Sequence, residues 1–311
     1  MARPTAKSVT QDTRGRLMRL ATAAAVASAL VLLGLKTWAY FATHSVALLS
    51  SLADSALYLA ASSLNFMAIR FALTPADEQH RFGHGKAEPL SALGQATFVA
   101  GSAVLILVEA ISRFSAPVAV PNPGLGIAVS VVSIVVTLVL VSFQRHVVKR
   151  TGSLAIGADQ LHYTGDLLLN GSVIVALVLS SMAGVTWADP VFGIGISIFI
   201  LANAATIANR AVGALMDMEL PEAERQQILE VARRHPKVRH VHELRTRSSG
   251  AQKFIQMHLV LDPTLSLLDA HRISDDVEKA VDAAFPGADI IIHQDPEGVA
   301  EFHPPVGGPL H

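Results

Sequence analysis

The chain has 311 residues, more than the ~100–200 of one ordinary domain. Hydrophobic residues make up 51% of it and charged residues 16%, with a mean hydropathy of +0.44, against roughly 25% charged in a soluble domain, so a purely soluble protein is excluded. A net charge of -1 argues against a general nucleic-acid binder, and the absence of cysteine removes disulfides, thiolate nucleophiles, iron–sulfur clusters and Cys-based zinc sites.

Long apolar runs lie at 18–42, 45–73, 89–112, 124–144, 154–184 and 186–209. Each is near or above the ~20 residues a helix needs to cross a bilayer, which predicts six spans. Lys36 breaks the first run near its end, where it can snorkel to the interface. A cleaved signal peptide is the other reading of that run, but the run exceeds the ~7–15 apolar residues of a signal. Arg3, Lys7, Arg14, Arg16 and Arg19 precede the first span. Arg81 and Lys86 lie in the second connection, and Arg145, Lys149 and Arg150 in the fourth. The first and fifth connections carry no Lys or Arg and the third only Arg113. The positive-inside rule then predicts that both termini are cytoplasmic.

Asp54 lies inside the second apolar run, and Asp159, His162 and Asp166 inside the fifth. A charge at mid-helix costs about 2.5–3.5 kcal/mol on insertion scales, so each needs a partner or a purpose. Spacings of three and four place Asp159, His162 and Asp166 on one helical face, and Tyr58 lies one turn after Asp54. If the two stripes face each other, Asp54, His162 and Asp166 converge beside Tyr58 as a divalent-cation site. A buried His–Asp bond that only joins helices, or a proton relay without metal, are the other readings of the same residues. In the second connection, Asp77, His80 and His84 have a spacing that a tight turn with Gly83 and Gly85 can bring to one ion. Read alone, that stretch is better taken as a solvated loop.

After Asp217 the composition becomes that of a small soluble domain. A helix is predicted from Pro221 to His235, strands over 237–247 and 252–262, a helix from Leu265 to Phe285, and a short buried strand from Ala288 to His293. This αββαβ order implies helices layered on a sheet. Ile255, Met257, Leu259 and Leu261 alternate onto one face, with Gln256 and His258 on the other. His242, His258, His271, His293 and Asp295 are five ligand-type residues in a small domain and suggest a metal cluster, whereas His240, His303 and His311 read as surface histidines. The Pro/Gly-rich tail is expected to be disordered.

These residues resemble the cation diffusion facilitators, in particular the bacterial ferrous-iron/zinc efflux subgroup. The resemblance runs from about Arg16 to Pro296. It is carried by Ser45-Val46 through Asp54-Ser55, by Pro75-Ala76-Asp77 through His84-Gly85-Lys86-Ala87-Glu88, and by Leu161-His162-Tyr163 through Asp166. In the soluble part it rests on Leu244-Arg245-Thr246-Arg247 and Ile292-His293-Gln294-Asp295-Pro296. It implies a homodimeric, proton-coupled exporter of divalent metal, Zn2+ foremost with Fe2+, Cd2+ or Mn2+ as others, in the bacterial inner membrane. The implied layout is a cytoplasmic segment 1–16, a six-helix membrane domain 17–212, a cytoplasmic metal-binding α+β domain 213–297 of metallochaperone-like form, and a tail 298–311.

The resemblance implies a transport site of Asp54, His162 and Asp166 and a loop site of Asp77, His80 and His84. It implies a cytoplasmic pair of ions on His242, His258, His271 and His293 with Asp295 shared, and a Lys86–Asp217 charge interlock holding the dimer. One position departs from the subgroup, which has a second Asp where this chain has Tyr58. A phenol is neutral at pH 7, so the site holds two carboxylates in place of three, with a water or the phenol oxygen as fourth ligand in a tetrahedral arrangement. A non-transporting sensor or dimer partner is the alternative that Tyr58 favours. A membrane metalloenzyme is disfavoured, because His242-Glu243 continues Leu244-Arg245-Thr246 and gives no HExxH.

Overall fold

The computed structural model describes residues 11–43, 46–115, 124–183, 187–250 and 252–299, and within its helices some side chains, that of Asp54 among them, lie outside the described set. The apolar runs fold as six long helices: α1 (Gln11–Thr43), α2 (Val46–Ala72), α3 (Ala87–Ser115), α4 (Gly124–Thr151), α5 (Leu154–Ala183) and α6 (Ala188–Leu215). Among the described residues four stretches are long and apolar enough to cross a membrane: Asp12–Phe41, Ala87–Ser112, Val131–Thr151 and Pro190–Leu215. Of the predicted tail 298–311, residues 300–311 lie outside the described residues.

This helical unit turns large apolar side chains outward and small or polar ones inward. Leu64, Leu105 and Val139 are exposed, while Ala92, Ala96, Asn65, Gln144, Asp159 and Ser197 are buried. That arrangement suits a hydrocarbon solvent, in which helices associate through small residues and internal hydrogen bonds. Close approach is explicit at Gly193 of α6, where a Cβ would sit 2.9 Å from the Cβ of Ala110 in α3. Lys86 donates to the carbonyls of Ala214 and Leu215, neutralising the negative end of α6. Lys36 also turns inward, donating to Ser55 Oγ at 2.8 Å; its ammonium has a protein partner and is not given over to snorkelling alone.

A second unit begins at Met216. It comprises α7 (Glu222–Arg233), β1 (His240–Ser249), β2 (Gln252–Leu261), α8 (Leu267–Ala284) and β3 (Asp289–Pro296). The sheet order is β1-β2-β3, with β1 antiparallel and β3 parallel to β2. Parallel β2–β3 pairing needs a crossover, which α8 supplies. Pro221 stands at the N-cap of α7, one position before the first helical turn predicted for it, and Ser266 caps α8 by accepting from the Asp269 amide. The strand β3 differs from its prediction. It is an edge strand whose residues 289–294 alternate between exposed and half-buried before the buried Asp295, so the apolar Ile290-Ile291-Ile292 run does not mark burial on both faces.

Ile228 and Ala232 of α7, Ile273, Val277 and Val281 of α8, and Val241, Ile255, Met257 and Leu259 of the sheet form one core. Period-two alternation puts His258 on the opposite face of β2 from Ile255 and Met257. The core therefore fixes which sheet face presents histidines. Ile255 is fully buried in it, and Ile255→Ala is expected to cost about 2–5 kcal/mol. Amide exchange in β1–β3 of the intact protein checks this through faster opening of those strands.

Candidate metal centres

In the helical unit, α2 and α5 bring Tyr58, His162 and Asp166 together. The Tyr58 hydroxyl donates to Asp166 Oδ1 at 2.8 Å, and its ring stands edge-on to His162 with centroids 4.3 Å apart. Phe98 of α3 lies 5.8 Å from His162 by ring centroids. His162 is 9% exposed, and its Nε2 is buried without a hydrogen-bond partner among the described residues. A buried polar nitrogen left in this way needs an explanation such as an ion or water. Asp54 is carried by α2, but its side chain lies outside the described residues.

Asp159, read from spacing as a neighbour of His162 on the same stripe, belongs to a separate network. Its Oδ2 accepts from Gln144 Nε2 at 2.6 Å and its Oδ1 from Ser62 Oγ at 3.3 Å, and Ser62 also bonds the Tyr163 hydroxyl at 2.9 Å. The helix-joining role that the sequence left open for a His–Asp pair is thus carried by Gln144, Asp159, Ser62 and Tyr163 across α2, α4 and α5. Sequence reading missed Gln144 and Ser62 as partners; a Gln inside an apolar run was the available signal.

The connection between α2 and α3 gathers all three of its predicted residues. His80 Nδ1 is 3.2 Å from Asp77 Oδ1 and His84 Nε2 is 3.2 Å from Asp77 Oδ2. Their ligand atoms lie within 4.8 Å of one another, a group able to hold a metal ion. Asp77 Oδ1 also accepts the backbone N–H groups of Gln79 and His80, and Gly83 supplies the left-handed bend with φ of 76°.

The backbone N–H of His80, foremost among its donors, holds the Asp77 carboxyl below its ordinary value of 3.8. A carboxyl depressed by folding contributes order that is complete above the unfolded value and fades as pH falls through the folded one. The turn is therefore expected to persist from neutral pH down to 3.8 and to open only in stronger acid. Side-chain carbon titration of Asp77, with exchange of the Gln79 and His80 amides, checks it.

In the second unit the sheet register lines up three histidines. His242 pairs across with His258, and His258 with His293, so one from each strand falls in a row. Asp295, two residues after His293 and 4% exposed, faces all three. His258 Nδ1 is 2.8 Å from Asp295 Oδ2, His242 Nε2 is 3.4 Å from the same oxygen, and His293 Nε2 is 3.2 Å from Oδ1. The atoms of His242, His258 and Asp295 lie within 4.8 Å of one another.

Sequence reading missed Glu243. It sits in the left-handed region with φ of 46°, at the bulge between His242 and Arg245, and its carboxylate is 3.9 Å from His258 Nε2. The bulge re-aims β1 beside the cluster, as bulges do near sites. An open pocket of roughly 240 Å³ lined by Glu243, Arg245, Gln256, His258 and His293 adjoins it.

The structure does not bring His271 into this group. It lies on α8, largely exposed, 3.7 Å from Asp275 one turn along. His240 stacks beside His242 with ring centroids 5.9 Å apart. Asp217 has φ of 56° and pairs with Arg247 at 3.4 Å within its own unit. Lys86 is held at the end of α6 within the other.

A family model described as the cation efflux transmembrane domain matches residues 22–216, and one described as the cation efflux protein cytoplasmic domain matches residues 220–297. The cation-efflux pump FieF of Pectobacterium atrosepticum is 48% identical over 281 residues, covering 90% of this chain and 93% of that pump. The cation-efflux pump FieF of Salmonella arizonae is 45% identical over 285 residues, covering 92% and 95%. A solved structure of CzrB in its zinc form is 34% identical, covering 27% of this chain and 96% of that one, with a TM-score of 0.26, too low to carry an argument. Matches that run through both units, with relatives this similar from end to end, make the chain a member of the cation efflux family, a membrane transporter and not an enzyme.

Proposed function

We propose that this chain is a homodimeric proton-coupled antiporter exporting divalent metal cations, Zn2+ foremost, from the cytoplasm across the bacterial inner membrane. The observation that carries the reading is that His162 and Asp166 both meet Tyr58 inside the helical unit, with the His162 Nε2 buried and without a hydrogen-bond partner among the described residues. Asp54 of α2 completes the transport site in this reading. An imidazole nitrogen with carboxylate oxygens suits Zn2+ and related borderline ions. These groups coordinate metal only when deprotonated, so the same atoms exchange metal for protons.

Six spans with both termini in the cytoplasm belong to this reading, supported by six long helices and by the Lys/Arg bias of the second and fourth connections. Facing the cytoplasm the deprotonated site takes the metal, and facing outward protons displace it. Asp77, His80 and His84 form a second ion site at the cytoplasmic surface. His242, His258, His293 and Asp295 hold the ions of the cytoplasmic domain. His271, which pairs with Asp275 one turn along α8, stands apart from that set.

A zinc indicator trapped in proteoliposomes tests the reading. Saturable zinc entry that requires a pH gradient is the expected result, and no entry with any divalent metal would overturn it. The second reading, a sensor or partner subunit, is favoured by Tyr58. It predicts metal held by the soluble unit with no flux at all.

A further inference from the structure

Lys86 and Glu88, on either side of the first residue of α3, each close the end of another helix. Lys86 donates to the carbonyls of Ala214 and Leu215 at the C-terminal end of α6. Glu88 Oε1 accepts the Leu154 N–H, the first of α5, at 3.0 Å. A carboxylate there satisfies a donor that has no partner in its own helix and meets the positive end of the helix dipole. Glu88 is 5% exposed, so the bond is shielded from water.

Glu88 also leaves directly from the turn that gathers Asp77, His80 and His84. The His84 carbonyl accepts the Ala87 N–H at 3.0 Å, and the Gly85 carbonyl accepts the Glu88 N–H at 3.2 Å. The His84 ring is buried, 4.5 Å by centroids from Phe71 of α2, with its Nε2 3.2 Å from Asp77. A short hydrogen-bonded segment thus joins a ligand-type imidazole to the carboxylate that holds α5. His162 lies about 12 Å further along that helix, at 1.5 Å per residue from Leu154.

We propose that Glu88 is a positioning residue, which ties the Asp77–His80–His84 turn to the N-terminus of α5, so that an ion held by the turn steadies the helix carrying His162 and Asp166. This rests on the reading of those three loop residues as an ion site. An ion that binds one arrangement of the turn favours that arrangement and whatever is tied to it. Ser153 Oγ accepts the Ile156 N–H at 3.3 Å, so α5 keeps a cap of its own when Glu88 is replaced. What the replacement removes is the tie to the turn.

The test is amide exchange over residues 154–160 of the full-length protein with and without Zn2+, made in the His162→Ala chain so that a transport ion does not contribute. Zinc is expected to slow exchange there about fivefold, the worth of one helix cap. Adding His80→Ala, which removes a loop ligand, is expected to abolish the slowing. Adding Glu88→Leu is expected to abolish it while equilibrium dialysis still finds the loop ion bound. Glu88→Gln, which keeps an oxygen acceptor without the charge, is expected to reduce it. A Glu88 that only stabilised the fold would, on replacement, speed exchange equally with and without zinc. That result, or full slowing in either Glu88 variant, would overturn the proposal while leaving the loop site in place. Dialysis showing no ion lost with His80→Ala would overturn the loop reading and the proposal with it.

Discussion

His162→Ala is expected to reduce metal flux by at least on the order of 100-fold while leaving the protein folded. Loss of a group that merely supports a ligand costs 10- to 100-fold in affinity or activity, and loss of a ligand itself should exceed that range. The alternative role, joining helices, makes the opposite forecast. His162 has no hydrogen-bond partner on Nε2 among the described residues, whereas Asp159 is bonded to Gln144 and Ser62. If His162 only packed, its replacement would lower thermal stability and leave the flux per folded molecule unchanged. Replacing Gln144 with Leu should behave in that way, because it strips a donor from a buried carboxylate. Flux and melting temperature on the same preparations separate the two roles.

Asp295→Asn is expected to weaken metal retention by the second unit by a comparable or larger factor. The carboxylate lies within 3.4 Å of nitrogens from three histidines, one on each strand. An amide of the same shape keeps the fold but offers one weak acceptor in place of two anionic oxygens. Equilibrium dialysis of the intact protein against zinc should show fewer tightly held ions, with the loop and transport ions retained. Unchanged stoichiometry and affinity would remove Asp295 from the ligand set. His271→Ala is expected to leave that stoichiometry unchanged, since the side chain pairs with Asp275 and stands apart from the cluster.

Much of this arrangement was legible in the chain because it is periodic. Helical runs in apolar sequence and the alternation of Ile255, Met257 and Leu259 against His258 are local patterns, and the structure keeps them. The histidine row was only partly legible. Alternation says which face a side chain takes, but the alignment of His242, His258 and His293 is a matter of register between strands distant in sequence. The bulge at Glu243 leaves no periodic trace. Asp159 illustrates the limit for helices. Spacing of three and four put it on the stripe of His162 and Asp166, yet packing of α4 against α5 delivered Gln144 to it and drew it into another network. The edge position of β3 was hidden for a similar reason, because three consecutive isoleucines read as burial until the strand order is known.

The most direct test of the central claim is proton movement driven by zinc, recorded with a pH dye trapped in proteoliposomes and with protein-free vesicles as control. Proton flow opposite to zinc, saturable in zinc and lost with His162→Ala, is the predicted result. Folded, dimeric protein that moves zinc without a proton signal would contradict the antiport.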